Sequence, residues 1–412
     1  MVFIWFGSVR SNCLHPEVHD PCVCTDGEIS CYGPEANNLK EIMRQFNDKL
    51  EGSDRHFKSF LLDNSSVTHI EDNTFFNITF DYIGFFWNRH LTHIDSHAFG
   101  QTTQVTKRVN IEYTPIGNRE LFHALNTLTK IEVILCQHLN ITEIPSHAFR
   151  EDIEAQDSIH FLGFPAVGVT RIGDYAFYEL NNLEELDLDH NTIGYIPENA
   201  FAFSRSSNKT LQINLTGMEA LNSTGFALGS LSNIKRPTVL NLKLNENITY
   251  LDEKIFRPFF DAHDLNRVLL TDNFGGIGID CNHCANYWLL KESRYLNMTD
   301  ITSCANGLLF RDERNFSKCK QIERFRRKTA QNYSWDIIFV SIIIFFSFIT
   351  SLKLSHNFLQ KMGFHSNIDL TNRYFIETIN YLAINCLLWI KVWEILPKSQ
   401  NYFWFSNTAF LV

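Results

Sequence analysis

Between residues 60 and 280 the hydrophobic positions follow neither one helical nor one strand period; they return in blocks about 24 residues apart. Half of each block is a nine-residue phrase, seen in Val67-Thr-His-Ile-Glu-Asp-Asn-Thr-Phe75, Leu91-Thr-His-Ile-Asp-Ser-His-Ala-Phe99, Ile141-Thr-Glu-Ile-Pro-Ser-His-Ala-Phe149, Val169-Thr-Arg-Ile-Gly-Asp-Tyr-Ala-Phe177 and Ile193-Gly-Tyr-Ile-Pro-Glu-Asn-Ala-Phe201. The closing phenylalanine recurs more loosely at 226 and 256, with a degenerate copy around Phe122. The other half is a short alternating stretch, clearest in Leu183-x-x-Leu186-x-Leu188-x-x-Asn191 and weaker in Ile83-x-Phe85-x-x-Asn88, Leu240-x-Leu242-x-x-Asn245 and Val268-x-Leu270-x-x-Asn273. Alternation over so few residues predicts a strand, and the asparagine marks the turn that ends it. Apolar pairs at Phe60/Leu62, Val109/Ile111, Ile159/Phe161 and Leu211/Ile213, with a stretch over 131–136 that reads in two registers, bring the count to about nine units.

One such unit cannot bury its own apolar edge, so the units must stack and pair their strands in parallel. The expected architecture is α/β, a leucine-rich repeat solenoid with a curved parallel sheet. Its leucine and isoleucine columns become a continuous core, and the phenylalanine column fills the wider convex side. The asparagine amide is expected to bond the backbone where the chain leaves each strand, satisfying polar groups that would otherwise be buried unpaired. A recurrence at the repeat period is packing, so none of these columns is assigned a cofactor.

Eight of the ten cysteines lie at the two ends of the repeats: Cys13, Cys22, Cys24 and Cys31 before them, Cys281, Cys284, Cys304 and Cys319 after them. Even-numbered clusters flanking a cysteine-poor stretch point to disulfide-stapled caps made in an oxidising compartment. Zinc ligation by Cys281-x-x-Cys284 with His283 between is disfavoured, because the later cysteines follow at unequal gaps and no second C-x-x-C appears. Cys136 and Cys386 read as buried small hydrophobes. With these caps the chain resembles extracellular leucine-rich repeat proteins that carry cysteine-rich N- and C-terminal flanking domains. That resemblance implies the pairs Cys13–Cys24, Cys22–Cys31, Cys281–Cys304 and Cys284–Cys319, although the C-terminal cap departs from the usual pattern by placing two residues between its first cysteines. The opening Cys13-Leu-His-Pro-Glu-Val-His-Asp-Pro-Cys-Val-Cys and Ile29-Ser-Cys-Tyr-Gly are also similar to arthropod proteins of the Oplophorus-luciferin 2-monooxygenase non-catalytic subunit-like type. This second resemblance implies an accessory, non-enzymatic chain that stabilises a separate secreted enzyme.

The resulting division is a weak or remnant signal segment over 1–12, an N-terminal cap over 13–52, repeats over 53–280, a C-terminal cap over 281–320 and a basic linker over 321–335. Residues 336–354, with an uncharged apolar run from Ile337 up to Lys353, are expected to cross a membrane as a helix, and 355–412 is a tail with a second apolar stretch. N-glycosylation acceptors stand at Asn64, Asn77, Asn140, Asn208, Asn214, Asn222, Asn247, Asn297, Asn315 and Asn332, all before the apolar run. An extracellular protein, membrane-anchored or else secreted, is the expectation.

With 46 acidic against 36 basic side chains and a formal charge of −10, nucleic acid is excluded as the expected partner. No catalytic set, metal or cofactor is expected. His93 and His97 could share a face with His90 and bind a metal, but the plainer reading is that solvent-facing histidines are copied with the unit. Gly275-Gly276-x-Gly278 leads into the cap and not a helix, and the Glu184-Glu185 pair reads as a solvated face. Binding is the better expectation, because strand positions between the core residues point outward. They are Tyr82, Gly84 and Phe86, then Arg108, Asn110 and Glu112, then Ser158, His160 and Leu162, then Glu185, Asp187 and Asp189, with Asn214 as a sequon on the same face. Aromatics and arginine beside an acidic strip suit a protein ligand or an enzyme subunit, bound at Tyr82, Phe86, Arg108, Glu112, His160, Glu185, Asp187 and Asp189.

Overall fold

Strands of three to eight residues have no stability alone, and here they acquire it by pairing across units. The computed structural model describes Cys13 and residues 21–50, 55–149, 158–271 and 279–329. The signal segment, the runs 336–354 and 355–412, Asn273, the glycines at 275–278, Asn332 and Cys386 lie outside the described residues. Two compact units divide the chain, Met1–Glu323 and Arg324–Val412, and everything below concerns the first.

In chain order the strands are β1 (Cys22–Thr25), β2 (Glu28–Tyr32), β3 (His56–Asp63), β4 (His69–Ile70), β5 (Thr79–Phe86), β6 (His93–Ile94), β7 (Arg108–Glu112), β8 (Val133–Gln137), β9 (Glu143–Ile144), β10 (Phe161–Gly163), β11 (Arg171–Ile172), β12 (Glu185–Asp187), β13 (Leu211–Asn214), β14 (Thr238–Asn241) and β15 (Arg267–Leu269). One eleven-stranded sheet runs β1-β2-β3-β5-β7-β8-β10-β12-β13-β14-β15, and the two-residue strands pair separately as β4 with β6 and β9 with β11. Only the β1–β2 hairpin is antiparallel; from β2 onward every neighbour is parallel, as stacked copies of one unit require. The register holds the inward column in line, with Leu62 opposite Phe85, Phe85 opposite Ile111 and Ile111 opposite Cys136. Further along, Leu186 faces Ile213, Ile213 faces Leu240 and Leu240 faces Val268.

Both sequence columns take the places their chemistry predicts. Phe75, Phe99, Phe149, Phe177 and Phe201 are buried. Phe75 stacks on Phe99 with centroids 6.3 Å apart, and Phe177 on Phe201 at 6.2 Å. Asn88, Asn191 and Asn245 are buried and fully engaged. The Asn88 Oδ1 accepts from the Ser65 N–H at 3.0 Å and its Nδ2 donates to the Leu62 carbonyl at 2.8 Å. Asn245 repeats this with the Met218 N–H at 2.7 Å and the Leu215 and Leu242 carbonyls at 2.8 Å each.

Register departs from the sequence expectation in the fifth unit. Ile159, Leu162 and Phe164 are the buried residues, while Phe161 is half-exposed and pairs with Glu185. Leu162 is therefore a core residue and not an open-face one. The correct phrase, Ile159-x-x-Leu162-x-Phe164, matches Leu183-x-x-Leu186-x-Leu188, but an apolar Phe161 on the outer face disguises the alternation. The same cause blurred 131–136, where Ile131, Ile134 and Cys136 are inside and Val133 and Leu135 half-exposed. Cys136 is a free thiol in this core, and burial pushes its pKa up.

Disulfides Cys13–Cys24 and Cys22–Cys31 tie the first hairpin, and helix α1 (Leu39–Lys49), capped by Asn38, buries Leu39, Met43 and Phe46 against the open end of the core. At the other end, Cys281–Cys304 and Cys284–Cys319 are disulfides, so these cysteines are not zinc ligands. They hold α4 (Tyr287–Lys291) and α5 (Ser293–Leu296), and the buried Trp288 donates its Nε1–H to the Leu251 carbonyl at 2.9 Å. Helices also replace the outer turn in two units, as α2 (Asn118–Leu125) and α3 (Glu253–Ala262). Among the described residues no helix is long and apolar enough to cross a membrane.

Candidate functional site

The outward side chains of the parallel strands form two columns across the sheet. One runs Tyr82, Arg108, Val133, Phe161, Glu185, Gln212, Val239 and Arg267, each paired in register with the next. Beside it run Gly84, Asn110, Leu135, Gly163, Asp187, Asn214, Asn241 and Leu269. Phe86 faces Glu112 in a third row, which continues to Gln137. Of the residues expected to bind a partner, Arg108, His160 and Glu185 are exposed and Tyr82, Phe86, Glu112, Asp187 and Asp189 half-exposed. His160 sits one residue before its strand, and Phe161 takes the place in the column.

Two glycines shape this face. A Cβ on Gly84 would stand 2.5 Å from the Phe86 ring, and one on Gly163 would stand 2.9 Å from Leu135 and 3.0 Å from the Phe161 ring. Their absence of a side chain lets Phe86 and Phe161 lie down across the sheet. The first half of the face, from Tyr82 to Phe161, carries the aromatic and apolar side chains of Tyr82, Phe86, Val133, Leu135 and Phe161 on either side of a polar strand with Arg108, Asn110 and Glu112, and the next strand is acidic over Glu185, Asp187 and Asp189. Burial pushes the Tyr82 phenol above its usual range. Burial, then the neighbouring Asp189 carboxylate, raises Asp187.

Asn214 is half-buried in this face: its Nδ2 donates to Asp187 Oδ1 at 2.8 Å, and its Oδ1 accepts from Thr216 Oγ1 at 2.5 Å. A glycan on that nitrogen would leave it one N–H to donate to Asp187. Asn64, Asn77, Asn140, Asn208, Asn222, Asn247 and Asn297 are exposed, and Asn315 is half-exposed.

Where each strand ends, one residue turns into the left-handed region. Asn64, Trp87, Tyr113, His138, Ala166, His190, Gly217 and Leu244 occupy this position with φ between 47° and 67°. Asparagine and glycine suit that conformation; a bulky aromatic side chain is strained there by ~1–2 kcal/mol. Three successive units nonetheless carry aromatic rings, and the rings stack: Trp87 on Tyr113 at 3.8 Å and Tyr113 on His138 at 4.3 Å. Arg89 lies over the outer face of Trp87 at 5.9 Å, and Pro115, Leu139 and Asn140 complete a pocket of about 350 Å³ along the ladder. Sequence reasoning missed this ladder. Only Trp87 of the three stands directly before an asparagine of the repeat, Asn88; Tyr113 and His138 are followed by Thr114 and Leu139, so no repeated pattern marks the ladder.

A Trp87→Asn substitution exchanges about 1 kcal/mol of relieved backbone strain for a similar loss of ring stacking. Thermal unfolding is therefore expected to shift by no more than a few degrees, which scanning calorimetry checks; a large loss would make the ladder a stability element.

Among curated proteins, none matches this chain. Among solved structures, the crystal structure of a TLR13–ssRNA13 complex is similar at 13% identity and a TM-score of 0.27, covering 66% of this chain and 58% of that one, less than two thirds of its length. Six copies of the sequence pattern described as "BspA type Leucine rich repeat region" match over 53–162 and 142–286, more than half of the chain. The stacked strands, the buried asparagine column and this match agree, and the chain belongs to the BspA-type leucine-rich repeat family.

Proposed function

We propose that this chain is an extracellular protein-binding leucine-rich repeat protein, a cell-surface adhesion or receptor-like molecule that takes its partner on the open face of the sheet and acts without catalysis of its own. The carrying observation is the juxtaposition on that face of Tyr82 with Phe86 and Phe161, the latter two laid over glycine gaps, and of an acidic strip at Glu185, Asp187 and Asp189. Rigid aromatic anchors give binding energy at low entropic cost, and a one-sign strip sets orientation and rejects acidic surfaces. A partner with an apolar knob and a basic flank fits both halves. The ladder from Trp87 to His138 borders the aromatic half and extends it past the strand ends. Four disulfides support an extracellular location, and two exposed sequons, Asn64 and Asn140, border the ladder at the edge of the aromatic residues.

The test compares wild type with a Tyr82→Ala/Phe86→Ala double variant as immobilised bait for proteins from the native tissue, read by quantitative mass spectrometry. Truncating two anchors is expected to cost ~2–4 kcal/mol of binding, a loss of thirtyfold or more in affinity for the specific partner, with the fold unchanged. Equal capture by both baits would remove the site from this face, and an enzyme retained in fixed ratio would identify the accessory-subunit role instead.

A further inference from the structure

The row of two-residue strands places matching side chains of successive units next to one another. In β9 and β11 that position holds Glu143 and Arg171, an exposed ion pair. In β4 and β6 it holds His69 and His93, paired directly across the strands with ring centroids 4.6 Å apart, edge to face. Two imidazoles offer each other little, and both turn instead to one carboxylate. Asp95 Oδ1 lies 2.8 Å from His69 Nε2 and 3.4 Å from His93 Nε2. The other oxygen of Asp95 accepts the Asp72 N–H at 2.9 Å, so the backbone holds the carboxylate with Oδ1 toward the rings. All three donor atoms fall within 4.8 Å of one another. A pocket of about 250 Å³ opens beside them, lined by His93, Ile94, Asp95 and Ser96 and, from α2, by Glu120 and His123.

We infer that His69, His93 and Asp95 bind a divalent transition-metal ion of the zinc class, which clamps the outer turns of the first two units together. Two imidazole nitrogens and one carboxylate oxygen are the donor set that zinc accepts and that magnesium and calcium, which prefer all-oxygen cages, do not. A tetrahedral ion ~2.0–2.1 Å from each donor sets them roughly 3.3 Å apart. The His93–Asp95 spacing already meets that, and the other two require exposed side chains to move by no more than about 1.5 Å. Three protein donors leave one position open for water or a further ligand, and the pocket beside them also carries Glu120 and His123. The Asp72 N–H on the far oxygen is the kind of outer bond that orients a metal-ligating carboxylate. No metal was expected from the sequence, which set His93 beside His90 and His97; in the structure His97 Nδ1 turns away to Ser96 Oγ at 2.9 Å, and the partner in the next unit is His69.

The test uses the full chain, stripped of metal and titrated with zinc chloride by isothermal calorimetry, with magnesium chloride as the control. One zinc ion per chain at micromolar affinity or tighter is expected, no magnesium binding, and a rise in the unfolding temperature of roughly 5 °C at saturating zinc. His69→Ala and His93→Ala are each expected to weaken zinc at least tenfold, with metal-free unfolding temperatures close to wild type because both rings are exposed. Should either alanine variant fold poorly, Asp95→Asn keeps the shape of the side chain and is expected to show the same loss. No zinc binding by wild type, or affinity unchanged in all three variants, would overturn the site.

Discussion

Asn191→Ala is expected to destabilise the protein by ~3–5 kcal/mol, among the largest effects that one surface-preserving substitution can have in this fold. The amide of Asn191 sits where the chain leaves β12 and is 1% exposed. Its Oδ1 accepts from the N–H groups of Gly168 at 3.0 Å and Val169 at 2.9 Å, and its Nδ2 donates to the carbonyls of Phe164 at 2.8 Å and Leu188 at 2.7 Å. Alanine leaves four backbone groups, drawn from two adjacent units, without this partner, and those of Val169, Phe164 and Leu188 are in buried residues. Each costs ~1–3 kcal/mol, partly recovered where relaxation admits water. Urea unfolding checks the size of the loss, and amide exchange at 164–169 and 186–191 checks its place, since opening is expected to spread from the junction of these units. A loss below about 1 kcal/mol would mean that the asparagine column is not what closes the strand ends.

Arg236→Met is expected to cost ~2–4 kcal/mol for a different reason. Arg236 is 3% exposed, and burial draws its guanidinium down to about 10. Its Nη1 donates to the Leu183 carbonyl at 2.8 Å and its Nη2 to the Asn181 carbonyl at 2.6 Å, while the guanidinium plane lies 4.2 Å from the Phe203 ring centroid. These partners are more than fifty residues back in sequence, so the side chain reaches past the adjacent unit. Methionine keeps apolar contact with Phe203 and removes a charge that is expensive to bury, but strands two carbonyls. A loss within the stated range means that the bonds outweigh the desolvation of the charge; a neutral or stabilising result means the reverse. Arg236→Lys, with one ammonium for two diverging carbonyls, is expected to fall between. Thermal unfolding of the three proteins separates these outcomes.

The two residues differ in how visible they were beforehand. Asn191 recurs in register with Asn88 and Asn245, and repetition announces a shared duty. Arg236 has no counterpart in other units, and nothing near it in sequence names its partners. The open face shows the same contrast. Arg108, Glu112, Glu185 and Asp187 could be placed because their strands alternate cleanly, and Tyr82 and Phe86 because the Ile83-x-Phe85-x-x-Asn88 phrase fixes the register of theirs. Phe161, Val133 and Leu135 could not, because an apolar residue facing outward breaks the alternation on which the reading depends. The left-handed position was hidden for another reason: tryptophan and tyrosine are not residues that advertise φ above zero.

Period, strand-and-turn unit, the core columns outside the fifth unit and residues 131–136, and the capping role of asparagine were determined by the order of residues alone, because each depends on contacts that every unit repeats with its neighbour. Only the folded chain decided the rest: which rings stack into the ladder, that His69 and His93 meet over Asp95, and that Arg236 ties units that are not adjacent. Those arrangements depend on the register between particular copies, and a shift of one residue in a strand turns every side chain to the opposite face. A periodic pattern specifies the average unit, while distinctive chemistry arises where individual units depart from it.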